Sequence, residues 1–478
     1  MKLNELKVDN PYLKLPKNFY DFTNPAPLNR AYLISANKEV AKLLDIDKEE
    51  LDKKEFVDFI NGNSLLKGSK PFAMVYAGHQ FGHFVPRLGD GRAINIGTIN
   101  NFHLQLKGSG PTKYSRSGDG RAVLRSSIRE YLISEAMHNL NIPTTRALGV
   151  IGSEHGVYRD EWEEGAITLR VSPSWIRIGT FEYFANKRDI KSLKLLSDYA
   201  IKESYPHLEN ESNKYLYFFL EVVGKSAKLV AKWQSVGFNH GVMNTDNISI
   251  AGVTLDYGPF AFLDDYEFNY ICNKSDRNGR YSFANQAGIM KWNLNALKYT
   301  LSFLTNKDEL DKALEYFDRI YAREFISLMR KKLGLTKELD EDIELIRELL
   351  ETLEELSIDY TLFFRTLSSY NKEKKPLLDL ALFHNPLKSW LNRYDKRLEK
   401  EPLLQTQREE LMLKTNPKYV LKNYMLQEAI DKAKNRDFSV VEALLEIAKN
   451  PFKEHKAYEK WAKATPSEFK NQILSCSS

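Results

Sequence analysis

The sequence predicts a mixed α+β protein, with a mainly β part up to about residue 180 and a helical part after it. Nine of the 24 glycines lie between Gly78 and Gly120, where short alternating apolar and polar stretches are separated by turn residues. Residues 306–478 contain only Gly334 and carry runs such as 308–333 and 341–356, in which apolar residues recur three and four apart. Strands and amphipathic helices therefore occupy different parts of the chain.

Composition excludes several classes of protein. The 478 residues include 69 Lys and Arg against 64 Asp and Glu, and a net charge of +5 gives no electrostatic case for a nucleic-acid partner. Hydrophobic residues at 42% are too frequent for a disordered chain. The N-terminus lacks the apolar stretch of a signal peptide, and Glu221 interrupts the longest apolar run. We expect a cytoplasmic protein with no membrane partner.

The first well-defined elements are two strands, 92–99 and 102–108, which read as an antiparallel pair. In the second strand, Phe102, Leu104 and Leu106 share one face. The alternation of side chains then places Lys107 on the opposite, polar face, at the end of the strand.

A helix is predicted next within residues 121–143, where apolar residues recur at four-residue steps and Pro143 closes the pattern. Glu130 lies off this apolar stripe, so we expect its carboxylate to stay outside the core. Further along, Arg170 and Arg177 lie on either side of Pro173, which makes a continuous helix improbable there. Two arginines on one loop can clamp a polyphosphate, although ordinary surface ion pairs explain them equally well.

Two glycine motifs indicate a phosphate site. LGDGRA at 88–93 holds Gly89, Gly91 and Arg92, and SGDGR at 117–121 holds Asp119 and Gly120. Glycines allow the backbone to approach an anion closely, while Arg92 and Lys107 supply positive charge. Plain hairpin turns are the alternative interpretation, because neither motif is a Walker A loop or a dinucleotide fingerprint.

Oxygen ligands converge in the segment 240–260, HGVMNTDNISIAGVTLDYGPF. Its short β-prone runs read as a hairpin turning at 251–252, which would place Asn247 opposite Asp256. One amide oxygen and one carboxylate suit Mg²⁺ held jointly with substrate phosphates. The alternative is an Asx turn that caps the hairpin.

His79 and His83 are four apart, but the glycine between them argues against a metal-binding helix and favours structural histidines.

The order of these features resembles that of a protein kinase. A glycine turn, a strand lysine, a helix glutamate, a loop asparagine and a following Asp-Tyr-Gly come in the kinase sequence, filled here by Lys107, Glu130, Asn247 and Asp256. HGVMNTDN is similar to the HGDxxxxN catalytic loop of that superfamily. It departs from the pattern at Val242, which stands where the catalytic aspartate belongs. A valine cannot deprotonate a hydroxyl, so the pattern disfavours ordinary γ-phosphate transfer.

Longer strings narrow the resemblance. YAGHQFGHFVPRLGDGRA, LQLKGSGPTKYSRSGDGRAVLRSSIREYLISEAM, HGVMNTDN, LDYGPFAFLD and NPKYVLKNYMLQEAI resemble the selenoprotein O family (SelO, YdiU) nearly from end to end. The resemblance implies a bilobal protein-kinase-like α+β fold, with an N-terminal lobe at 1–180 and a helical C-terminal lobe at 181–478. It also implies a pseudokinase that binds its nucleotide flipped and transfers AMP, or UMP, to Ser, Thr or Tyr hydroxyls of proteins, including itself.

The resemblance implies a role for each matching residue. Asp246 would be the catalytic base, Glu130 the partner of the lysine, and Asn247 and Asp256 the ligands of Mg²⁺ or Mn²⁺. The residues expected to bind ATP or UTP are Gly89, Gly91, Arg92, Lys107, Asp119, Gly120, Arg170, Arg177 and Asp256. Two alternatives stay open: a true kinase that transfers the γ-phosphate, and a nucleotide-binding scaffold without catalysis.

The two cysteines, Cys272 and Cys476, are too few for a disulfide scaffold or a cysteine-built metal site. Cys476 lies in SCSS, where selenocysteine-bearing members of the family place their selenium. The resemblance therefore implies a reversible Cys272–Cys476 disulfide that regulates access to the cleft. Two unrelated reduced thiols are the alternative.

Overall fold

The computed structural model describes residues 1–470, 472 and 474, and its strands are concentrated before residue 172. The strands are β1 Tyr20–Phe22, β2 Tyr32–Ala36, β3 Phe72–Met74, β4 Gly78–Gln80, β5 His83–Val85, β6 Ala93–Ile99, β7 Phe102–Lys107, β8 Ala122–Val123, β9 Arg146–Tyr158, β10 Trp162–Ser172, β11 Phe238–Asn239 and β12 Ala261–Phe262.

Three α-helices precede residue 178, and the others make up most of the chain after it. The α-helices are α1 Lys38–Leu43, α2 Lys54–Asn61, α3 Leu124–Asn139, α4 Ile178–Asn186, α5 Ile190–Ser204, α6 Lys214–Ser235, α7 Gln286–Leu301, α8 Lys307–Lys332, α9 Glu341–Glu355, α10 Tyr360–Ser368, α11 Lys375–Leu378, α12 Asn385–Leu398, α13 Gln405–Thr415, α14 Asn423–Ala433 and α15 Ser439–Lys449. The predicted mixed α+β class, with a sheet-rich first part and a helical second part, is confirmed.

An antiparallel sheet holds the strand that carries Lys107. Its strand order is β1-β3-β6-β7-β10-β9-β2, with β8 paired to β10 as the eighth strand. The predicted pair β6 and β7 is joined by Asn100 and Asn101, whose φ angles of 50° and 65° suit a tight hairpin turn. Lys107 lies opposite Ala93 on one side and Thr168 on the other, so it ends a central strand.

Both faces of this sheet are covered. Leu104 and Leu106 pack in one cluster with Phe56 and Ile60 of α2. Helix α3 contacts β9 and β10, and its Ile128 belongs to the largest apolar cluster of the described chain. The polar face of β7 is therefore buried beneath other elements and is not open to solvent, which places Lys107 inside a cleft.

The helical part is built from amphipathic helices at the predicted positions. Helix α8 begins after Asn306, whose side-chain oxygen accepts hydrogen bonds from the backbone N–H groups of Asp308 and Glu309. Leu310 and Phe317 of α8 are buried on its inner face. Among the helices that the structure describes, none is both long and apolar enough to cross a membrane.

Candidate active site

One cavity brings the sequence-predicted residues together. It has a volume of about 520 Å³ and lies between the glycine turns, the ends of β7 and β10, and the segment 246–256. Its lining includes every predicted nucleotide, metal and base residue: Gly89, Gly91, Arg92, Lys107, Asp119, Gly120, Arg170, Arg177, Asp246, Asn247 and Asp256. Residues more than 160 positions apart thus face one space of a size that suits a small-molecule ligand.

A four-residue charge cluster forms the floor of this cavity. Lys107 Nζ lies 2.8 Å from Glu130 Oε2 and 2.7 Å from Asp256 Oδ1. Arg170 Nη1 lies 3.0 Å from Glu130 Oε1 and 3.0 Å from Asp256 Oδ1. The predicted pairing of Lys107 with a helix glutamate is present. The expectation that Glu130 stays outside the core was wrong, because both cations approach it from the sheet and its side chain is only 3% exposed.

The cluster controls the charge of Asp256. Burial alone would raise the pKa of this carboxyl, but Lys107, Arg170 and Arg92 together hold its pKa well below the ordinary value. Asp256 therefore stays ionised at every physiological pH. Arg170 is fixed from behind by the ring of Trp175, with its guanidinium 4.6 Å from the ring centroid.

The glycine turns fit closely against neighbouring groups. Gly89 has a φ of +97°, and a Cβ there would lie 2.4 Å from the Tyr114 ring. Gly120 has a φ of +67°, and a Cβ would lie 2.1 Å from the backbone oxygen of Gly110. Both positions require glycine for conformation as well as for space. The two turns consequently form a narrow wall on the cationic side of the cavity.

Asp246 also lines the cavity, within a short helical turn, Thr245–Asn247, and its backbone oxygen accepts a 3.2 Å hydrogen bond from Arg177 Nη1. Its Oδ2 accepts a 3.2 Å hydrogen bond from Gln80 Nε2, whereas its buried Oδ1 has no hydrogen-bond partner among the described residues. Burial raises the pKa of Asp246 to about 6, although the bond from Gln80 and the charge of Arg177 work to lower it. An aspartate with a pKa of about 6 is mainly ionised at neutral pH and can therefore act as a general base.

The register of the 247–256 segment differs from the predicted one. An isolated antiparallel bridge joins Ile248 to Thr254, which is one residue away from the pairing that would set Asn247 opposite Asp256. Two strands do not form because Ser249 pairs with Arg177 and Thr254 pairs with Thr144. Asn247 and Asp256 line the same cavity, but through the folding of neighbouring elements and not as a facing pair.

The two proposed metal ligands fit a hard divalent cation shared with phosphates. Asp256 presents a carboxylate whose side chain is 25% exposed, and Asn247 donates its amide N–H to Val242 O at 3.1 Å, which leaves the amide oxygen for a ligand. Within residues 1–470, 472 and 474 no cluster of three or more His, Cys, Asp or Glu residues has metal-binding geometry, so phosphates would have to complete the shell.

Arg177 extends the cationic wall and leads to residues that sequence reasoning missed. Its guanidinium lies 4.2 Å from the centroid of the Tyr76 ring, and its Nη2 lies 3.7 Å from Asp90 Oδ1. Asp90 also accepts a 2.9 Å hydrogen bond from the backbone N–H of Met74. Asp90 lies inside the LGDGRA motif, so the motif itself could have indicated this residue. Tyr76 had no comparable signal.

Another missed residue closes the rim of the cavity. Arg159 lies at the tip of the β9–β10 hairpin, and its Nη1 and Nη2 donate to the Asp119 carboxylate at 2.8 and 2.9 Å. Asp119 also accepts from the backbone N–H of Arg121 at 2.8 Å. The predicted Asp119 is thus part of the rim and positions the second glycine turn. No local motif marks Arg159, because only the long hairpin brings it here.

The two histidines lie on the β4–β5 hairpin, not on a helix. His79 Nδ1 is 2.5 Å from Glu182 Oε1 and its ring packs against Phe84 and Trp292. His83 pairs with Gln80 across the hairpin. The structural interpretation of both residues agrees with these contacts.

Cys272 is buried, and its thiol donates a 2.8 Å hydrogen bond to Pro259 O, within the segment that follows Asp256. The predicted bond to Cys476 lies outside the described residues. Leu474, two positions before it, donates its N–H to Cys272 O at 3.0 Å and accepts from Lys274 N at 2.7 Å. This part of the C-terminal segment therefore runs beside Cys272.

Comparison with known proteins identifies the family to which this chain belongs. The sequence model of the family described as "Protein adenylyltransferase SelO" matches residues 2–449. The chain belongs to the SelO family. A SelO-family relative from Myxococcus xanthus, named protein nucleotidyltransferase YdiU, is 46% identical over 100% of this chain and 99% of its own length. Relatives with the same name from Thioalkalivibrio sulfidiphilus and Aliivibrio salmonicida are each 45% identical, over 100% of both chains and 99% of both chains, respectively. SelO-family membership makes this chain an enzyme of the nucleotidyltransferase class.

Proposed function

We propose that the protein transfers AMP or UMP from ATP or UTP to Ser, Thr or Tyr hydroxyls of proteins, itself included, and releases pyrophosphate. The observation that carries this proposal is the single cavity lined both by the cationic side chains and by Asp246. Arg92, Lys107, Arg170 and Arg177 suit the charge of a triphosphate, and the partly desolvated Asp246 suits proton abstraction from a hydroxyl.

The transfer step follows from this arrangement. Asp246 accepts the proton of the acceptor hydroxyl, whose oxygen bonds to the α-phosphorus. The bond from that phosphorus to the oxygen bridging to the β-phosphate breaks, and pyrophosphate leaves with the electron pair. Lys107 and Arg170 stabilise the negative charge of the phosphates, and Glu130 holds both cations in place.

Asn247 and Asp256 would hold the Mg²⁺ or Mn²⁺ ion, which when bound supplies a Lewis acid for the phosphate oxygens. The strongly ionised state of Asp256 favours a divalent cation at this position. Asp246 lines the same cavity, so its carboxylate would be close enough to accept the proton of an acceptor hydroxyl.

A true kinase is the second candidate, and Val242 disfavours it. The side chain at this position has no group that binds a proton, and the Val242 carbonyl is occupied by Asn247. A scaffold without catalysis is the third candidate. Nothing in a scaffold would require a buried carboxylate with a raised pKa beside the phosphate-binding side chains.

We further propose that the chain adopts the two-lobed arrangement of the protein kinases, with lobes at 1–180 and 181–478 and a flipped nucleotide between them. The strand lysine, helix glutamate and Asp256 occur in the kinase order, and the lysine contacts both carboxylates, which supports this proposal. A reversible Cys272–Cys476 disulfide belongs to the same proposal, supported by the hydrogen bonds between Leu474 and the Cys272 segment.

Labelled nucleotide tests the proposed reaction. The protein is incubated with Mg²⁺ or Mn²⁺ and with ATP labelled either at the α- or at the γ-phosphate. We expect the α-label to enter the enzyme and added protein acceptors, and the γ-label to stay in pyrophosphate. Incorporation of the γ-label alone would identify a kinase, and nucleotide binding without any incorporation would identify a scaffold.

A further inference from the structure

A second cavity adjoins the proposed active site across the β4–β5 hairpin. It has a volume of about 570 Å³, and its apolar walls are formed by Phe84, Ala185, Trp292, Ala296 and Tyr299. The hairpin borders both cavities: Gln80 lines the nucleotide cavity and His79 lines the second one. Successive side chains of a strand project to opposite faces, so the hairpin is a thin wall between the two spaces.

The floor of the second cavity is hydrogen-bonded to the segment that carries Asp246. Glu182 accepts a hydrogen bond from the Thr245 hydroxyl, and its other oxygen pairs with His79. The backbone N–H of His79 donates to the same hydroxyl at 2.7 Å. Because Thr245 directly precedes Asp246, the second cavity and the proposed base keep one fixed relation.

Large aromatic side chains continue from this cavity onto the surface. Tyr299 is 63% exposed and Phe303 is 39% exposed, and their rings meet edge to face at 5.5 Å. Exposed aromatic residues beside a concave apolar site are typical of protein-binding surfaces. We call the cavity together with Tyr299 and Phe303 the acceptor groove.

Two arginines beside the groove have no carboxylate in ion-pair contact anywhere in the described part of the chain. Arg188 lines the cavity and is exposed. Arg280 stacks on Trp292, with its guanidinium 4.6 Å from the ring centroid, and its buried Nε has no hydrogen-bond partner. Positive charge without an internal counter-ion favours an acidic ligand at this edge.

We infer that the acceptor groove binds the polypeptide segment of a protein acceptor, with a large apolar side chain against Trp292 and Ala296 and a carboxylate near Arg188. This inference rests on the proposed function. It assigns a substrate subsite outside the nucleotide cavity. Since successive residues of an extended chain advance about 3.3 Å, the apolar side chain and the modified hydroxyl should lie at one fixed spacing along the acceptor chain.

Peptide substrates test the subsite. The probes are nonapeptides with one central tyrosine in an alanine and glutamine background, in which leucine and glutamate are moved singly through the flanking positions. We expect one leucine position to lower KM about tenfold, the effect of burying one such side chain. Glutamate at a neighbouring position should lower KM further.

Three variants assign the effect to the groove. Ala296→Trp fills the cavity and should raise KM for the leucine peptide about tenfold, with KM for ATP and for the background peptide unchanged. Arg188→Asn, which tolerates the positive φ of 52° at this position, should remove only the preference for glutamate. Tyr316→Ala removes an aromatic residue that is 46% exposed on α8 and should change neither preference.

The outcomes separate this inference from the proposed function. Transfer of α-label with no leucine preference, or an unchanged KM for the leucine peptide in Ala296→Trp, would overturn the subsite alone. A dimer in sedimentation that Ala296→Trp dissociates, with peptide KM unchanged, would assign the groove to a second copy of the chain. No α-label transfer by the wild type to any acceptor would instead contradict the proposed function.

Discussion

The pKa of Asp246 depends on the small residues that pack against it. A Cβ on Gly78 would lie 2.7 Å from Asp246 Oδ1, and a Cβ on Gly179 would lie 2.1 Å from Ala77 O. Glycine at both positions lets the β4 strand and the start of α4 close over the carboxylate. This closure excludes water and raises the pKa of Asp246 to about 6.

The pKa of Asp246 predicts how catalysis depends on pH. A general base must be ionised, so kcat/KM for the acceptor should fall about tenfold per pH unit below pH 6 and should level off above it. Asp246→Asn should lose at least a hundredfold in kcat while it still binds nucleotide. A flat profile from pH 5 to 8, with the protein folded by circular dichroism throughout, would contradict this role.

The close packing at Gly78 gives a second prediction. Gly78→Ala should displace the Asp246 carboxylate and lower kcat at least tenfold with little change in KM for ATP, because the nearest neighbours of the added Cβ are all atoms of Asp246. The matched control is Gly288→Ala in α7, where an added Cβ meets nothing within 4 Å. Equal activity of the two variants would show that Gly78 is not needed at the site.

At the scale of single elements, α8 carries an unusual buried charge. Lys332 is 4% exposed, and its Nζ lies 4.2 Å from the centroid of the Phe364 ring. Burial lowers the pKa of Lys332 to about 7 from an ordinary value of 10.5. No carboxylate pairs with Lys332 in the part of the chain that the structure describes.

This lysine predicts that stability rises with pH. Between pH 7 and 10.5 the unfolded chain binds the lysine proton and the folded chain does not, so the free energy of unfolding should increase by up to about 1.4 kcal/mol per pH unit. Urea unfolding at pH 7, 8 and 9 measures this slope. It should disappear in Lys332→Met and persist in Lys331→Met, whose lysine is exposed. Identical slopes in both variants would exclude Lys332 as the cause.

Regular elements could be predicted from sequence where one periodic pattern governs them. Alternation along β7 places Lys107, and the four-residue steps of α3 mark the helix, because each pattern reports on a single core-facing surface. The burial of Glu130 could not be predicted in this way, because α3 is buried on more than its apolar stripe. The ion pairs that compensate for burying this carboxylate come from Lys107 of β7 and Arg170 of β10, which are distant in sequence. Likewise, the 247–256 register depends on pairing with Arg177 and Thr144, which no local pattern encodes.

At the scale of the whole molecule, the proposed disulfide would link the C-terminal segment to the region after Asp256. We expect reductant to change transfer activity in the wild type and to have no effect on Cys476→Ala. Peptide mapping of the oxidised protein without reductant should recover one Cys272–Cys476 crosslink. If both thiols react fully with a maleimide after mild oxidation, the proposed switch is wrong.

The largest apolar cluster joins the sheet-rich part to the helical part and includes Tyr12, Ile128, Phe218 and Trp461, whereas residues 329–412 contribute to a separate cluster. Parts that share one continuous core do not swing apart as separate domains do. Nucleotide exchange would then depend on a small gate, and the exposed Arg159–Asp119 pair at the β9–β10 tip is the contact placed to act as one. Opening of this rim would break the Arg159–Asp119 ion pair, so nucleotide release should become faster as rising ionic strength screens the pair.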